Sequence, residues 1–354
     1  MVTLVLVTGS GRSGTSSVAG TLKRLGFAIP QPEVPTDENN PRGYYEPLWV
    51  ADFHKYWLNG IGVRTIDTRP HAGDVAMADV TPEREAELRD WLAGELAGRA
   101  DDDVVVVKET RAYWVYPLWE RVAAAVGADL VSLTMLRHPA QVVRSRDTAY
   151  LSDFSDSMRR QRETANVAAW LNSVLVTEHA TRGNPRAFVP YYDLLGDWRA
   201  AMTRACGQIG VPVGDLAAPH PVDDFLTTSL NRSAATWNGL AVSEGLRTLA
   251  EATWEAAGRL VVDPDDTGAR ADLDRLREEY AEEFRVAAAI ASDESQALVI
   301  AERAKFEERL ARKNARLAQL REARAAQDAE LAQLRAQLEG LSAGGRRAWG
   351  RRPG

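Results

Sequence analysis

Arg12 stands where the chain could hold a phosphate-like anion. It lies inside a Gly/Ser-rich stretch, residues 8–14, between an apolar β-branched run at 2–7 and apolar residues at helical spacing over 15–25. A strand, a glycine loop and a helix in this order direct backbone N–H groups and the positive end of the helix at one point. The stretch therefore predicts an anion site, with the Arg12 side chain as its cation.

Several interpretations of this loop compete. Its glycines match the dinucleotide-binding pattern G-x-G-x-x-G, but residues 29–33 are too Pro-rich for the second strand that this pattern requires. The nucleoside-triphosphate loop G-x-x-x-x-G-K-[ST] fits at Gly9, Gly14 and Ser16, but Thr15 stands in place of its lysine. A turn that binds no ligand is also compatible with the composition.

The segment Arg12-Ser13-Gly14-Thr15 resembles the 5′-phosphosulfate loop of sulfotransferases, which carries [KR]-[TS]-G-[TS]. These enzymes use 3′-phosphoadenosine 5′-phosphosulfate (PAPS) as sulfuryl donor. The resemblance implies that the loop binds the 5′ end of PAPS. The loop residues that it assigns to PAPS are Gly11, Arg12, Ser13, Gly14, Thr15 and Ser16.

A second element of the same resemblance follows the apolar run at 130–136. Sulfotransferases hold the 3′-phosphate of PAPS with an R-x-P segment and a later serine, and Arg137-His138-Pro139 with Ser145 matches the residue types and the spacing. A guanidinium can hold a phosphate through two hydrogen bonds, and a hydroxyl adds a short one. Pro139 suits the first position of a helix, whose N-terminus would then open beside Arg137.

Three further segments resemble bacterial carbohydrate-type sulfotransferases. Residues 40–46 (NPRGYYE) are similar to N-P-K-G-[YHW]-[WF]-E, and residues 188–195 are similar to an element containing Y-[ED]-D-L-L. Residues 108–111 are similar to K-D-P-R, although Glu109 and Thr110 depart from it. The resemblance covers residues 1 to about 260 and implies a hydroxyl-bearing acceptor, a carbohydrate or glycolipid.

In-line sulfuryl transfer requires positioning, neutralisation of the leaving oxygen and a general base. We expect Arg12 to supply the neutralising charge, with Lys108 assisting unless it is only a surface charge at a strand end. Glu46 is our first candidate for the base, Glu109 the second and His54 the third. No metal is expected, since the strand before Lys108 does not end in the Asp that would hold Mg²⁺.

Apolar runs alternate with helical patterns over residues 1–262, which predicts an α/β domain with a P-loop-type parallel sheet flanked by helices. Ligands bind beyond the carboxyl ends of strands in such sheets. The loop at 9–16 and the segments at 108–111 and 137–139 all follow predicted strands. They are therefore expected to form one site.

The composition changes after residue 262. A polar Pro/Gly linker is predicted at 263–271, a coiled coil at 272–342, and a disordered basic tail at 343–354. The helical segment has heptad spacing, with Lys313 and Gln327 as interruptions. Its apolar heptad positions are Phe306, Leu310, Leu317, Leu320, Leu331, Leu334, Leu338 and Leu341. We expect this segment to form a homodimer, although a solvated single helix is also compatible with it.

Charge and cysteine content narrow the remaining possibilities. A net charge of −7 argues against a general nucleic-acid binder. The one cysteine, Cys206, excludes an intramolecular disulfide, and a buried inert thiol is expected. No apolar run is long enough for a transmembrane segment, and residues 2–7 are too short for a signal peptide, so a cytoplasmic protein is expected.

Two other functions remain open at this level. A P-loop small-molecule kinase would share the fold, although the loop lacks the lysine and the second strand lacks its terminal Asp. A non-catalytic nucleotide-fold domain displayed on a coiled coil would explain the architecture without any reaction. Joint retention of Arg12, Arg137 and Ser145 favours the sulfotransferase interpretation.

Overall fold

The computed structural model describes residues 1–150, 156–227 and 234–349, and of residues 147–150 and 339–349 the backbone only. Four strands lie in these ranges: β1 Thr3–Gly9, β2 Val104–Lys108, β3 Asp129–Leu136 and β4 Arg186–Pro190. The helices there are α1 Thr15–Arg24, α2 Leu48–Gly60, α3 Ala72–Ala78, α4 Pro82–Leu96, α5 Tyr116–Ala125, α6 Pro139–Tyr150, α7 Asp156–Ala180, α8 Tyr191–Gly196, α9 Trp198–Gln208, α10 Pro221–Phe225, α11 Glu244–Arg259 and α12 Thr267–Trp349.

The strands form one parallel sheet in the order β2-β1-β3-β4. Val7 of β1 lies opposite Lys108 of β2 on one side and Leu133 of β3 on the other. The carboxyl ends of these strands therefore meet at one edge of the sheet, where the predicted site segments follow them. The α/β prediction with a parallel sheet flanked by helices is confirmed.

Both faces of the sheet are covered, as expected for strands that are largely apolar. Val5 and Val7 pack into a core with α1 and α9, and that core includes the thiol of Cys206. Leu4 and Leu6 point to the opposite face and pack with α2, α4 and α5. The alternation follows from the two-residue period of a strand.

Local sequence signals explain several helix ends. The Thr81 hydroxyl accepts a hydrogen bond from the backbone N–H of Arg84 at the start of α4, and α6 begins at Pro139. The segment 70–79 contains α3, for which the sequence carries no clear helical pattern. Seven residues are too few for a helical period to be recognised.

The chain divides into two compact units, residues 1–285 and 286–354. The boundary differs from the predicted end of the first domain at residue 262, because α12 begins at Thr267, inside the predicted linker. The first turns of α12 bury Leu273, Leu276 and Tyr280 in a third core that also contains α6, α7 and α11. These residues belong to the first unit because they complete its core.

The second unit consists of the rest of α12. Its heptad residues, among them Leu317 and Leu331, are about half exposed in the single chain, and Arg324 interrupts the same row. Residues 343–349, predicted to be disordered, are helical, and 350–354 lie outside the described residues. Pairing of this helix with a second chain stays a prediction. Over the described ranges, no helix combines the length and the apolar character that crossing a membrane requires.

Candidate active site

The loop between β1 and α1 closes into a tight turn that offers donors to an anion. The N–H of Ser13 donates to the carbonyl of Ser10 at 3.1 Å, and α1 begins at Thr15 without a side-chain cap. The first N–H groups of a helix lack intrahelical acceptors, and the dipole makes this end positive. Among the residues that the structure describes, the buried Oγ atoms of Ser10 and Ser13 have no hydrogen-bond partner. Amide and hydroxyl donors are thus both available here.

Gly14 allows this loop to approach Tyr191, the first residue after β4. Its φ of +100° lies in the region that favours glycine, and a Cβ at this position would lie 2.2 Å from Cδ2 of Tyr191. The same ring lies beneath Arg137, whose Cζ is 4.6 Å from the ring centroid. Tyr191 therefore fixes the position of the loop relative to Arg137.

Arg12 contacts the second part of the predicted site directly. Its Nε donates to Oγ of Ser145 on α6 at 3.2 Å, across 133 positions of sequence. Its backbone has a φ of +72°, which is uncommon for any residue other than glycine. The fold thus brings the predicted residues Arg12 and Ser145 into contact.

Arg137 is nearly buried, with 6% of its surface exposed. Its Nη1 donates to the carbonyl oxygen of Arg12 at 2.9 Å, and its own carbonyl accepts from Nε1 of Trp170 at 3.0 Å. Burial lowers the pKa of Arg137, and the nearby Arg12 lowers it further, against an opposing effect of Tyr191. A bound anion would raise the pKa of Arg137 again, because it stabilises the charged guanidinium.

Arg146 joins this site, although we did not predict it from the sequence. Its Nη2 donates to the carbonyl oxygen of Gly11 at 3.2 Å, and its Nη1 donates to Oδ1 of Asn166 at 3.1 Å. The segment around it is rich in charge and resembles the solvated face of a helix. Its position directly after Ser145 was the one available signal.

Lys108 and Glu46, both predicted to be catalytic, contact each other at the end of β2. Nζ of Lys108 donates to Oε1 of Glu46, and the two side chains are 3% and 13% exposed. The Lys108 ammonium also lies 6.0 Å from the centroid of the Tyr44 ring. Since the pair engages Oε1, the contact leaves Oε2 of Glu46 available to another partner.

The segment that carries Glu46 is held at several points. Nδ2 of Asn40 donates to Oγ of Ser16 in the first turn of α1 at 3.1 Å. The Tyr45 hydroxyl donates to the carbonyl of Arg42 at 2.6 Å and accepts from Nη1 of Arg24 at 3.2 Å. These contacts attach the segment to the helix that follows the anion loop.

Glu109 and His54, which are both fully buried, form a separate cluster with Arg111. Oε2 of Glu109 lies 2.5 Å from Nδ1 of His54, and its Oε1 accepts from Nε of Arg111 at 2.8 Å. Burial alone would raise the pKa of Glu109, but the charges and hydrogen bonds of Arg111 and His54 outweigh it and lower that pKa to about 2.

The burial of this cluster bears on our second and third candidates for the general base. The side chains of Glu109 and His54 are both 0% exposed. A base must come within hydrogen-bond reach of the acceptor hydroxyl, and these two groups are occupied with each other inside the protein. Of the three candidates, Glu46 is the one with exposed surface beside the loop elements.

Comparison with known proteins finds similarity among solved structures. No protein-family model matches the chain, and no curated protein matches it. Among solved structures, a sulfotransferase domain from the olefin synthase of Synechococcus PCC 7002 is similar, with 17% identity, a TM-score of 0.40, and coverage of 71% of this chain and 94% of that one. A sulfotransferase domain from the curacin biosynthetic pathway has 14% identity, a TM-score of 0.32, and coverage of 68% and 82%.

Proposed function

We propose that this chain is a PAPS-dependent sulfotransferase that transfers a sulfuryl group to a hydroxyl group of a carbohydrate or glycolipid. One observation carries the proposal. The guanidinium of Arg12 contacts Ser145, while Arg137 holds the carbonyl of Arg12. Cations and hydroxyls that match the two phosphate sites of a sulfotransferase are therefore joined in one hydrogen-bonded group.

The donor would bind across this group. Arg137 and Ser145 take the 3′-phosphate, because the guanidinium and the hydroxyl supply the charge-assisted bonds that phosphate oxygens accept. The 5′-phosphosulfate lies at the loop, where Arg12, the first-turn N–H groups of α1 and the buried hydroxyls of Ser10 and Ser13 can donate to it. Burial of Arg137 strengthens its attraction to an anion, since the local dielectric is low.

The reaction forms one S–O bond and breaks another. The acceptor oxygen attacks sulfur, the bond between sulfur and the bridging phosphate oxygen breaks, and 3′-phosphoadenosine 5′-phosphate (PAP) leaves. Arg12 stabilises the negative charge that grows on the leaving oxygen, and Lys108 assists from the end of β2. The acceptor proton passes to Glu46, with Oε2 as the accepting oxygen because Oε1 contacts Lys108.

The acceptor would approach Glu46 over the segment 40–46. Support for a carbohydrate comes from the similarity of this segment to the motif of carbohydrate-type sulfotransferases. No metal is needed for the proposed step. The cytoplasmic location stays a prediction.

Calorimetric titration with PAP and with ATP, each with and without Mg²⁺, tests the proposal. We expect PAP to bind without Mg²⁺ and to bind at least about tenfold more weakly to Arg137→Ala, which loses a charge-assisted contact. Preference for ATP with Mg²⁺ would indicate a kinase instead. Failure to bind either nucleotide would indicate the non-catalytic scaffold.

We also propose that the second unit makes the protein a homodimer. Pairing would cover the half-exposed leucines of α12, each contributing about 1.5–3 kcal/mol when fully buried. Light scattering should give a dimer for the full chain and a monomer for residues 1–285. The truncation ends at 285 because an end at residue 262, the predicted domain boundary, would remove Leu273, Leu276 and Tyr280 from the core of the first unit. A monomeric full chain at micromolar concentration would contradict the pairing.

A further inference from the structure

Two consecutive carbonyl groups of the anion loop are held by arginines from different elements. The Gly11 oxygen accepts from Nη2 of Arg146 at 3.2 Å, and the Arg12 oxygen accepts from Nη1 of Arg137 at 2.9 Å. A carbonyl oxygen is partially negative and would repel an anion if it turned towards it. Both oxygens are instead directed at guanidinium groups.

These contacts also orient N–H groups, because the C=O and the following N–H of a trans peptide point in opposite directions. In the peptide unit between Arg12 and Ser13, Arg137 holds the carbonyl, and the N–H of Ser13 donates to the Ser10 carbonyl. In the peptide unit between Gly11 and Arg12, Arg146 holds the carbonyl, and the described residues provide no acceptor for the N–H of Arg12. The peptide that Arg146 orients is thus the one with an N–H group available to a ligand.

Arg146 is itself fixed in place. Its residue is 3% exposed, and Oδ1 of Asn166 on α7 accepts its second hydrogen bond at 3.1 Å. It follows Ser145, whose hydroxyl contacts the side chain of Arg12. One turn of α6 therefore contacts the loop at two neighbouring residues, Gly11 through the backbone and Arg12 through the side chain.

We propose that Arg146 is a positioning residue for PAPS: it holds the Gly11 carbonyl so that the N–H of Arg12 faces the 5′-phosphosulfate. The inference depends on the proposed function. The inference goes beyond the proposed function because it assigns to Arg146 an effect on the binding of the 5′ end of PAPS alone. The 3′-phosphate is bound by Arg137 and Ser145 without help from this contact.

Ligands that differ only at the 5′ position test the assignment. The full-length protein, Arg146→Met and Arg146→Lys are titrated with PAP and with adenosine 3′-phosphate, which lacks the 5′-phosphate. We expect Arg146→Met to weaken PAP binding about tenfold or more and to leave adenosine 3′-phosphate unchanged, because a lost hydrogen bond to a charged donor costs that much. Arg146→Lys, which keeps the charge and an N–H donor group but lacks the guanidinium fork, should restore part of the loss.

A matched control lies on the same helix. Arg144 donates to the carbonyls of Thr236 and Asn238, away from the loop, so Arg144→Met should change the affinity for neither ligand. Equal weakening of both ligands in Arg146→Met, or unchanged PAP affinity in a folded variant, would overturn the proposal. If Arg146→Met does not fold, Arg146→Lys is used instead. A weaker affinity for PAP with an unchanged affinity for adenosine 3′-phosphate would then support the proposal, and equal changes or no change would overturn it. Failure of the unmodified protein to bind PAP would instead refute the proposed function.

Discussion

Two groups of charged side chains lie at the same edge of the sheet and have different partners. At the ends of β1 and β3, the arginines of the loop site donate to a hydroxyl, to backbone carbonyls and to an amide. At the end of β2, Lys108 and Arg111 contact the carboxylates of Glu46 and Glu109. The contacts of the loop-site arginines named here are to neutral oxygens, which do not cancel a positive charge, whereas the contacts at the end of β2 are to carboxylates, which do. The difference sets the proposed anion-binding region apart from a region of ion pairs.

The second region divides again by exposure. The pair of Glu46 and Lys108 keeps some contact with solvent, whereas Glu109 and His54 are wholly enclosed. An enclosed carboxylate held by Arg111 and His54 contributes to the fold, whereas a partly exposed one can also reach a substrate. The following predictions test this division.

The largest effect is expected for Glu46→Gln. Glutamine keeps the shape but cannot take a proton, so kcat should fall by about 10²–10⁴-fold while PAP affinity stays within about twofold. Sulfuryl transfer to a panel of saccharides and calorimetry with PAP measure the two quantities. Glu33→Gln, which alters a carboxylate that pairs with Lys23 instead, is the matched control. An active Glu46→Gln would show that the base lies elsewhere.

Glu109→Gln should act on stability and not on transfer. It leaves Arg111 and the buried His54 without their carboxylate, and loss of one partner from a buried pair costs about 3–5 kcal/mol. Urea unfolding should report this loss, while the folded fraction still binds PAP. A Glu109→Gln variant that is as stable as the unmodified protein but cannot transfer sulfuryl groups would show that Glu109 acts in the reaction and not in stabilising the fold.

Arg12→Ala should lower kcat by about 10²–10³-fold, the usual effect of removing a group that stabilises transition-state charge. PAP affinity should fall by less than kcat, because the charge of Arg12 matters most as the leaving oxygen becomes anionic. Initial rates over a range of PAPS concentrations separate the two effects. A rise in KM alone would make Arg12 a ground-state binder and Lys108 the better candidate for the catalytic cation.

The smallest effect is a change of stability with pH. The pKa of Glu109 is lowered from 4.5 to about 2 in the fold, so the unfolded chain takes up this proton first as the pH falls. The stabilisation is complete above about pH 4.5 and is lost towards about pH 2. Unfolding at several acidic pH values should show a steeper loss for the unmodified protein than for Glu109→Gln. Equal slopes would mean that another carboxylate dominates acid unfolding.

The sheet and the loop could be predicted because their signals are local. The run of four valines at 104–107 permits a buried strand, and glycine spacing with Arg12 indicates the anion loop. Some contacts between distant residues left no such signal. Neither the meeting of Arg146 with Gly11 nor the enclosure of Glu109 by His54 follows from spacing, because both depend on how helices pack on the sheet.

The end of the first unit was also missed for a physical reason. A polar Pro/Gly segment at 263–271 indicates a linker, and the start of α12 is even more charged than the rest of that helix. Only tertiary packing distinguishes Leu273 and Leu276, which are buried, from the half-exposed leucines further along. The same apolar spacing serves a core in one part of the helix and is available for pairing in the other.

The left-handed backbone at Arg12 has a consequence for how the sequence can change. Glycine adopts a φ of +72° without steric penalty, whereas another residue held there costs on the order of 1–3 kcal/mol. Arg12→Gly should therefore be more heat-tolerant than Arg12→Ala, although both lack the guanidinium. Selection for thermal stability alone would therefore favour glycine at this position. Under the proposed function, the arginine at this position supplies a charge at the cost of backbone strain that glycine would avoid.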